Sequence, residues 1–176
     1  MSLSTFLGPA VIGLAAAAGA YALWTKRSRT YHSSESVASA YDAWTEDRLL
    51  ETLWGEHVHL GHYGDPPVRR DFRQAKADFV HELVHWSGLD RLPPGSKVLD
   101  VGCGIGGSAR ILARDYGFDV LGISISPAQV KRATDLTPED LSCRFEVMDA
   151  LDLKLEDGTF DGVWTVEAGP HMPDKQ

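Results

Sequence analysis

Ten residues, Val98–Gly107, limit what this chain can become more than any others: V-L-D-V-G-C-G-I-G-G. The apolar run of Val98, Leu99 and Val101 carries one carboxylate, Asp100, and breaks into glycines at 102, 104, 106 and 107. A helical pattern follows over Ser108–Tyr116 and stops at Gly117. A buried strand that turns on glycines into a helix leaves backbone N–H groups and the positive end of a helix dipole facing a crevice. Glycine keeps that backbone open to a ligand. The sequence therefore puts the binding site at this turn.

The same alternation continues downstream. Ser96–Val101 reads as a first strand and Asp119–Ile125 as a second, filled by Val120, Leu121, Ile123 and Ile125. Ser126 then supplies an N-cap, Pro127 the first helical position and Gln129 the third residue of a capping box. Cys143–Met148 is a third strand ending at Asp149-Ala150, and Phe160–Val166 a fourth after the Asp157-Gly158 turn. Strands separated by helices predict a parallel, doubly wound α/β sheet, which binds ligands beyond the carboxyl ends of its strands. Asp100, Ser124, Asp149 and Glu167 all fall at or near such ends.

Gly102, Gly104 and Gly107 satisfy G-x-G-x-x-G, which brings a dinucleotide into question. Two features oppose it. Asp100 places a carboxylate just before the turn where pyrophosphate would sit, and Ser124 stands where a ribose-binding acid is usual. S-adenosylmethionine presents an ammonium and a sulfonium instead, and a nearby carboxylate favours both. Asp100 and Asp149-Ala150 together turn the glycines toward that cofactor.

Upstream, Ser33–Ser36 offer helix caps, and Val37, Tyr41, Trp44, then Leu49, Leu50, Leu53 and Trp54, predict one or two amphipathic cap helices. Trp54–Pro67 (W-G-E-H-V-H-L-G-H-Y-G-D-P-P) is turn-rich, and its His57, His59 and His62 read as loop histidines that line or close a pocket rather than metal ligands. Asp71–Leu89 is a strong helix with Phe72, Ala75, Phe79, Leu83 and Trp86 along the expected inner face. His81-Glu82-Leu83-Val84-His85 inside it matches the zinc-protease pattern H-E-x-x-H. No third-ligand context follows, so a packing helix with a solvated polar face is the better reading, and no metal is expected.

Residues 1–25 carry no charged side chain, and Phe6–Trp24 is almost wholly apolar or small. As a helix this stretch spans about 28 Å, near the thickness of a bilayer core. Lys26, Arg27 and Arg29 follow it, which predicts a single membrane anchor with the rest of the chain on the cytoplasmic or plastid stromal side. Ala18-Gly19-Ala20 resembles a signal-peptide cleavage site, but a signal peptide carries its basic residues before the apolar run. The net charge of −8 argues against nucleic-acid partners, and no protein partner is evident. Cys103 and Cys143 form no disulfide framework, and Cys103 reads as a small side chain tolerated in the turn.

Four stretches carry a resemblance: L-D-V-G-C-G-I-G-G, G-I-S-I-S-P-A-Q-V-K-R-A, E-A-G-P-H-M-P-D-K and the histidine-rich turn. Together they resemble the tocopherol group of class I S-adenosylmethionine methyltransferases, from about Ser34 to Gln176. The resemblance implies a Rossmann-like sheet, here with about four parallel strands, an N-terminal helical cap and the single anchor. The expected division is 1–30 anchor, 31–95 cap and 96–176 cofactor-binding core, with the later part of the family's fold not represented. It implies C-methylation of a prenylated benzoquinol held in the bilayer, on the route to tocopherols and plastoquinone. Methylation of γ-tocopherol is the alternative, followed by a non-catalytic cofactor-binding fragment and then the zinc protease. By family position, Asp100, Gly102 and Gly104 would hold the methionine end of the cofactor. Ser124 and Gln129 would face its ribose side, Asp149 and Ala150 its adenine, and Tyr41 would close over it, with Cys103, Gly106 and Ile125 as further cofactor-binding residues. Glu167 and His171 are the expected catalytic pair, orienting or deprotonating the ring hydroxyl.

Overall fold

The computed structural model describes residues 33–172. The segment expected to be an anchor lies outside them. Among the described residues, no helix is long and apolar enough to cross a membrane.

Among the described residues, three α-helices precede the sheet: α1 (Ser34–Glu46), α2 (Leu49–Trp54) and α3 (Phe72–Ser87). Strand β1 (Lys97–Val101) leads through α4 (Gly107–Tyr116) to β2 (Asp119–Ser124), and α5 (Pro127–Leu136) leads on to β3 (Cys143–Val147). Strand β4 (Gly162–Trp164) then returns to the far side of β1. All neighbours are parallel, in the order β3-β2-β1-β4. The order reverses between β1 and β4, which makes the carboxyl ends of these two strands the switch point where open α/β sheets bind ligands.

Strand periodicity divides the core. Val98, Val120 and Trp164 join Val80 and Val84 of α3, Ala109, Ile111 and Leu112 of α4, and Phe118 in one buried cluster. Leu99, Leu121 and Ile123 form a smaller cluster with Val101, Met148, Leu155 and Phe160 packed against it. Strand β4 is shorter than the expected Phe160–Val166 because it pairs with β1 only over Val98–Asp100, and Phe160 serves that second cluster instead.

Helix α3 corrects another expectation. Asp71 caps it by accepting the N–H groups of Arg73 (2.9 Å) and Gln74 (3.1 Å), and Gly88 ends it at a φ of 75°. The fully buried line, however, is Ala75, Lys76, Val80 and Val84, while Trp86 is 85% exposed. The inner face is turned by one position because Lys76 is drawn inward by two backbone carbonyls, those of Trp54 (2.9 Å) and His57 (2.6 Å). The H-E-x-x-H residues diverge to separate partners. His81 Nδ1 lies 2.8 Å from the Tyr116 hydroxyl, His85 Nδ1 lies 2.8 Å from Asp90 and Glu82 faces His62 at 3.8 Å. Among the described residues, no group of three or more His, Cys, Asp or Glu side chains is placed to hold a metal.

The cap helices take the expected form. Ser33 and Ser36 exchange reciprocal 3.3 Å bonds at the start of α1. A bidentate pair from Arg132 to Glu51 (2.9 and 2.6 Å) fastens α2 to α5.

This packing makes a contrast that chemical denaturation measures. Val84→Ala should cost about 2 kcal/mol by leaving a cavity under α3, whereas Trp86→Ala should change stability by no more than about 0.5 kcal/mol. A larger loss from Trp86→Ala would contradict the orientation of this helix.

Candidate functional site

One row of the sheet builds the floor of the site. Reading across β4, β1, β2 and β3, Trp164 pairs with Asp100, Asp100 with Gly122 and Gly122 with Phe145. Register partners in a parallel sheet project to the same face. Gly122 contributes no side chain, and the Phe145 ring fills the space, 2.6 Å from where a Cβ on Gly122 would lie. The same ring lies 2.6 Å from where a Cβ on Gly106 would stand, so it supports the glycine turn from below.

Asp100 is only 2% exposed, and its Oδ2 has no hydrogen-bond partner. Trp164 Nε1 is also buried without a partner. A buried acceptor and a buried donor left open on adjacent strands are costly unless something else satisfies them. Burial pushes the Asp100 carboxyl up to about 7. Above these groups, Gly102, Gly104 and Gly106 adopt φ values of 76°, 56° and 80°. The N–H groups of Gly102 and Cys103 donate to the Ile123 carbonyl (2.9 and 3.0 Å), tying the turn to β2. A Cβ on Gly104 would meet nothing within 4 Å, so the backbone there is open to approach.

Asp100, Cys103, Gly104, Ser108 and Trp164 share a cavity of about 60 Å³ with His57 and His59. The loop carrying those histidines forms its roof. His59 Nδ1 lies 2.7 Å from the Leu60 carbonyl and must donate to it. His59 Nε2 therefore accepts from His57 Nδ1 at 3.1 Å. Both rings are neutral in this chain of bonds, since burial lowers His57 to about 3 and lowers His59 as well. Three charged groups from different elements hold the loop: Lys76 on its carbonyls, Arg110 on Glu56 at 2.6 Å, and Glu167, whose Oε1 accepts the Leu60 N–H at 3.0 Å. Burial brings Lys76 down to about 8.

The other expected site residues lie around this centre. Ser124 and Gln129 are buried at the end of β2, joined by a 2.8 Å bond from the serine hydroxyl to Gln129 Oε1. This replaces the expected capping box: Ser126 caps α5 by accepting the Gln129 N–H, but the glutamine side chain turns to Ser124. Ile125 is half-buried beside them. Asp149 and Ala150 are half-buried after β3, and Asp149 Oδ1 accepts the N–H of Leu151 at 2.9 Å. Tyr41 is half-buried on α1, edge-on to Trp44 at 5.5 Å, and burial raises its hydroxyl above the usual range. Cys103 is buried, and burial with Asp100 nearby holds its thiol protonated. Glu167 is exposed, at a φ of 56°, and engaged with the histidine loop; His171 ends a short 3₁₀ turn, Gly169–His171.

Sequence reasoning did not single out Trp164, Lys76 or Asp42. Trp164 lay inside the expected fourth strand, Phe160–Val166, and only the register against β1 puts it beside Asp100. Lys76 and Asp42 act through contacts distant in sequence, which no local pattern reports.

The methyltransferase domain family matches residues 98–176. Over 164 residues, 93% of this chain and 51% of the relative, the chain is 66% identical to the 2-methyl-6-phytyl-1,4-hydroquinone methyltransferase of Synechocystis sp.. Residues 98–176 thus match a methyltransferase domain, and the relatives that carry the likeness upstream of it are methyltransferases as well. The chain is also 42% identical to the chloroplastic tocopherol O-methyltransferase of Arabidopsis thaliana, over 72% of this chain and 39% of that one. The chain thus spans about half the length or less of these curated relatives. Among solved structures, the cyclase SpnF superposes with a TM-score of 0.66 at 30% identity, covering 76% of this chain and 48% of that one. Magnesium protoporphyrin IX methyltransferase from Synechocystis PCC 6803, solved with bound S-adenosylmethionine, superposes at 0.58 with 25% identity, covering 83% of this chain and 67% of that one.

S-adenosylmethionine is the cofactor, and the site fits it on its own chemistry. The unsatisfied carboxylate oxygen suits an ammonium, the unsatisfied indole N–H suits an acceptor, and the open face at Gly104 admits a close backbone contact.

Asp100 also fixes a pH dependence. Without ligand it holds a proton up to about pH 7, whereas the ordinary carboxyl value is 3.8. Folded-state stability should therefore fall as pH rises from about 4 to about 7. Binding a cationic cofactor against the ionised carboxylate releases that proton, so affinity should climb toward pH 7, by at most about tenfold per unit, and level off above it. Calorimetry in buffers of different ionisation enthalpy reads the proton directly. Asp100→Asn should show neither dependence; a wild-type profile flat from pH 5 to 7 would refute this account.

Proposed function

We propose that this protein methylates a ring carbon of a prenylated benzoquinol, 2-methyl-6-phytyl-1,4-benzoquinol or its solanyl counterpart, on the route to tocopherols and plastoquinone. The observation that carries this reading is the 66% identity to the Synechocystis enzyme, which extends beyond the cofactor turn into the cap and histidine loop. The fold alone would not distinguish a methyltransferase from a cyclase, given SpnF.

In this reading, Asp100, Gly102 and Gly104 hold the methionine end of the cofactor. Ser124 and Gln129 face the ribose, Asp149 and Ala150 the adenine, and Tyr41 closes from the cap, while Cys103, Gly106 and Ile125 complete the cofactor site. When bound, the cofactor supplies an electrophilic methyl group. The protein's own work is to position the ring and exclude water, since holding the reacting atoms together removes much of the barrier. The neutral, interlocked His57 and His59 form a dry lid over the cavity. Glu167 and His171 orient the ring hydroxyl and draw off its proton, which raises electron density at the neighbouring carbon.

A second reading, methylation of γ-tocopherol, draws on the 42% identity to the Arabidopsis enzyme. A transfer assay with radiolabelled S-adenosylmethionine, offering both acceptors to the full-length protein, should label the benzoquinol preferentially. Preferential labelling of γ-tocopherol would move the assignment to the second reading. In the same assay His171→Ala should slow transfer at least about tenfold without a matching change in cofactor affinity; an unchanged rate would remove it from the mechanism.

The stretch Phe6–Trp24 gives the protein a reason to meet a lipid-tailed substrate, by anchoring it in the same membrane with the catalytic residues on the cytoplasmic or stromal side. The protein should stay with membranes through alkaline carbonate washing, and a variant lacking residues 1–25 should be released. Release of the intact protein by the same wash would rule the anchor out.

A further inference from the structure

We propose that Asp42, on α1, is a positioning residue for the cofactor: its carboxylate fixes Ser126 and the start of α5 in the place where the Ser124 hydroxyl meets Gln129 Oε1, so that Gln129 offers amide N–H donors to the ribose. The inference rests on the reading above that the Ser124–Gln129 wall faces the ribose. It adds a residue of the cap helix that works through that wall.

Asp42 Oδ1 accepts two bonds across the boundary between α1 and α5, from the Ser126 hydroxyl at 2.5 Å and the Ala128 N–H at 3.1 Å. Ser126 is completely buried. Its Oγ accepts the N–H of Gln129 at 3.1 Å, and its own N–H donates to Ser124 Oγ at 3.1 Å. The Ser124 hydroxyl in turn donates to Gln129 Oε1 at 2.8 Å.

Each link has a direction that chemistry dictates. An ionised carboxylate only accepts, so the Ser126 proton goes to Asp42, and its oxygen is left to accept from Gln129. A backbone N–H only donates, so Ser124 Oγ accepts from Ser126, and its proton needs another acceptor. Gln129 Oε1 supplies one. Turning that amide over would leave the buried Ser124 proton without an acceptor, which costs more than a lost bond. The glutamine therefore keeps its oxygen on the protein side and its two Nε2–H donors for a ligand acceptor. A ribose hydroxyl oxygen is such an acceptor. The carboxylate also lies at the positive end of α5, where its charge is favoured.

Asp42 follows Tyr41 directly, so the same turn of α1 carries the residue that closes the site and the residue that holds its wall in place. Glu51 and Arg132 make a second tie between cap and α5 that touches neither serine. That tie provides the control for a role confined to holding helices together.

The test is calorimetric titration of the full chain with S-adenosylhomocysteine and with its 2′-deoxy and 3′-deoxy analogues. Wild type should bind at least one deoxy analogue about tenfold more weakly than the parent. Gln129→Ala and Asp42→Ala should each weaken the parent by about tenfold and erase that discrimination. Asp42→Asn, whose amide oxygen accepts the same two bonds, should stay within about threefold of wild type and keep it. Ser126→Ala, which retains Asp42 and its Ala128 contact, should behave like Asp42→Ala and covers the case in which that variant does not fold. Glu51→Gln should lower the melting temperature and leave the discrimination intact. If Gln129→Ala loses the discrimination while Asp42→Ala and Ser126→Ala retain it, Asp42 only fastens the helices and the proposal fails alone. If Gln129→Ala also retains it, the ribose reading fails and takes the proposal with it.

Discussion

A carboxylate with one oxygen unsatisfied, deep at the end of the central strand, is the constraint around which this structure is arranged. Asp100 gains nothing for the apo fold, because burial opposes its charge and no neighbour compensates it. The surrounding residues nevertheless keep the site dry and shaped: a tryptophan on one side in register, a glycine on the other, and glycines above. Such an arrangement makes sense when the missing partner arrives with the ligand, and a cation-bearing methyl donor supplies it. The polar atoms that the protein itself leaves unpartnered there are then part of its affinity for the cofactor.

The cap depends on the same centre. The loop from Trp54 to Leu60 closes over the Asp100 cavity, yet its aliphatic side chains, Val58 and Leu60, stay exposed. A buried lysine, an arginine–glutamate pair and the Glu167 carboxylate secure it instead. Glu167, expected as a catalytic group, is thus also a fastening between the end of β4 and the loop. The two tasks are compatible, since a carboxylate can accept from the Leu60 N–H with one oxygen and present the other.

Most of the fold was legible because the strands report themselves locally. The V-L-D-V run, the Ser126-Pro127 helix start and the glycine stops each carry a physical signature that needs no distant partner. Errors arose where distant contacts overrode a local pattern. The stripe ending in Trp86 was a sound amphipathic reading, yet two carbonyls from the preceding loop drew Lys76 inward and turned the helix. Gln129 had the spacing of a capping box, but the Ser124 hydroxyl claimed its side chain. At the site, the glycines and Asp100 were visible in sequence, whereas the register that puts Trp164 beside Asp100 emerges only when β4 is laid against β1.

Phe145 has a bearing on how such a chain can vary. Its ring occupies the volume that side chains on Gly122 and Gly106 would need, although the three residues belong to β3, β2 and the turn after β1. These positions therefore share one allotment of space. A larger residue at Gly122 is admissible only if the aromatic shrinks, whereas Gly106, at a φ of 80°, needs glycine whatever the space. Across related chains positions 122 and 145 should change together or not at all.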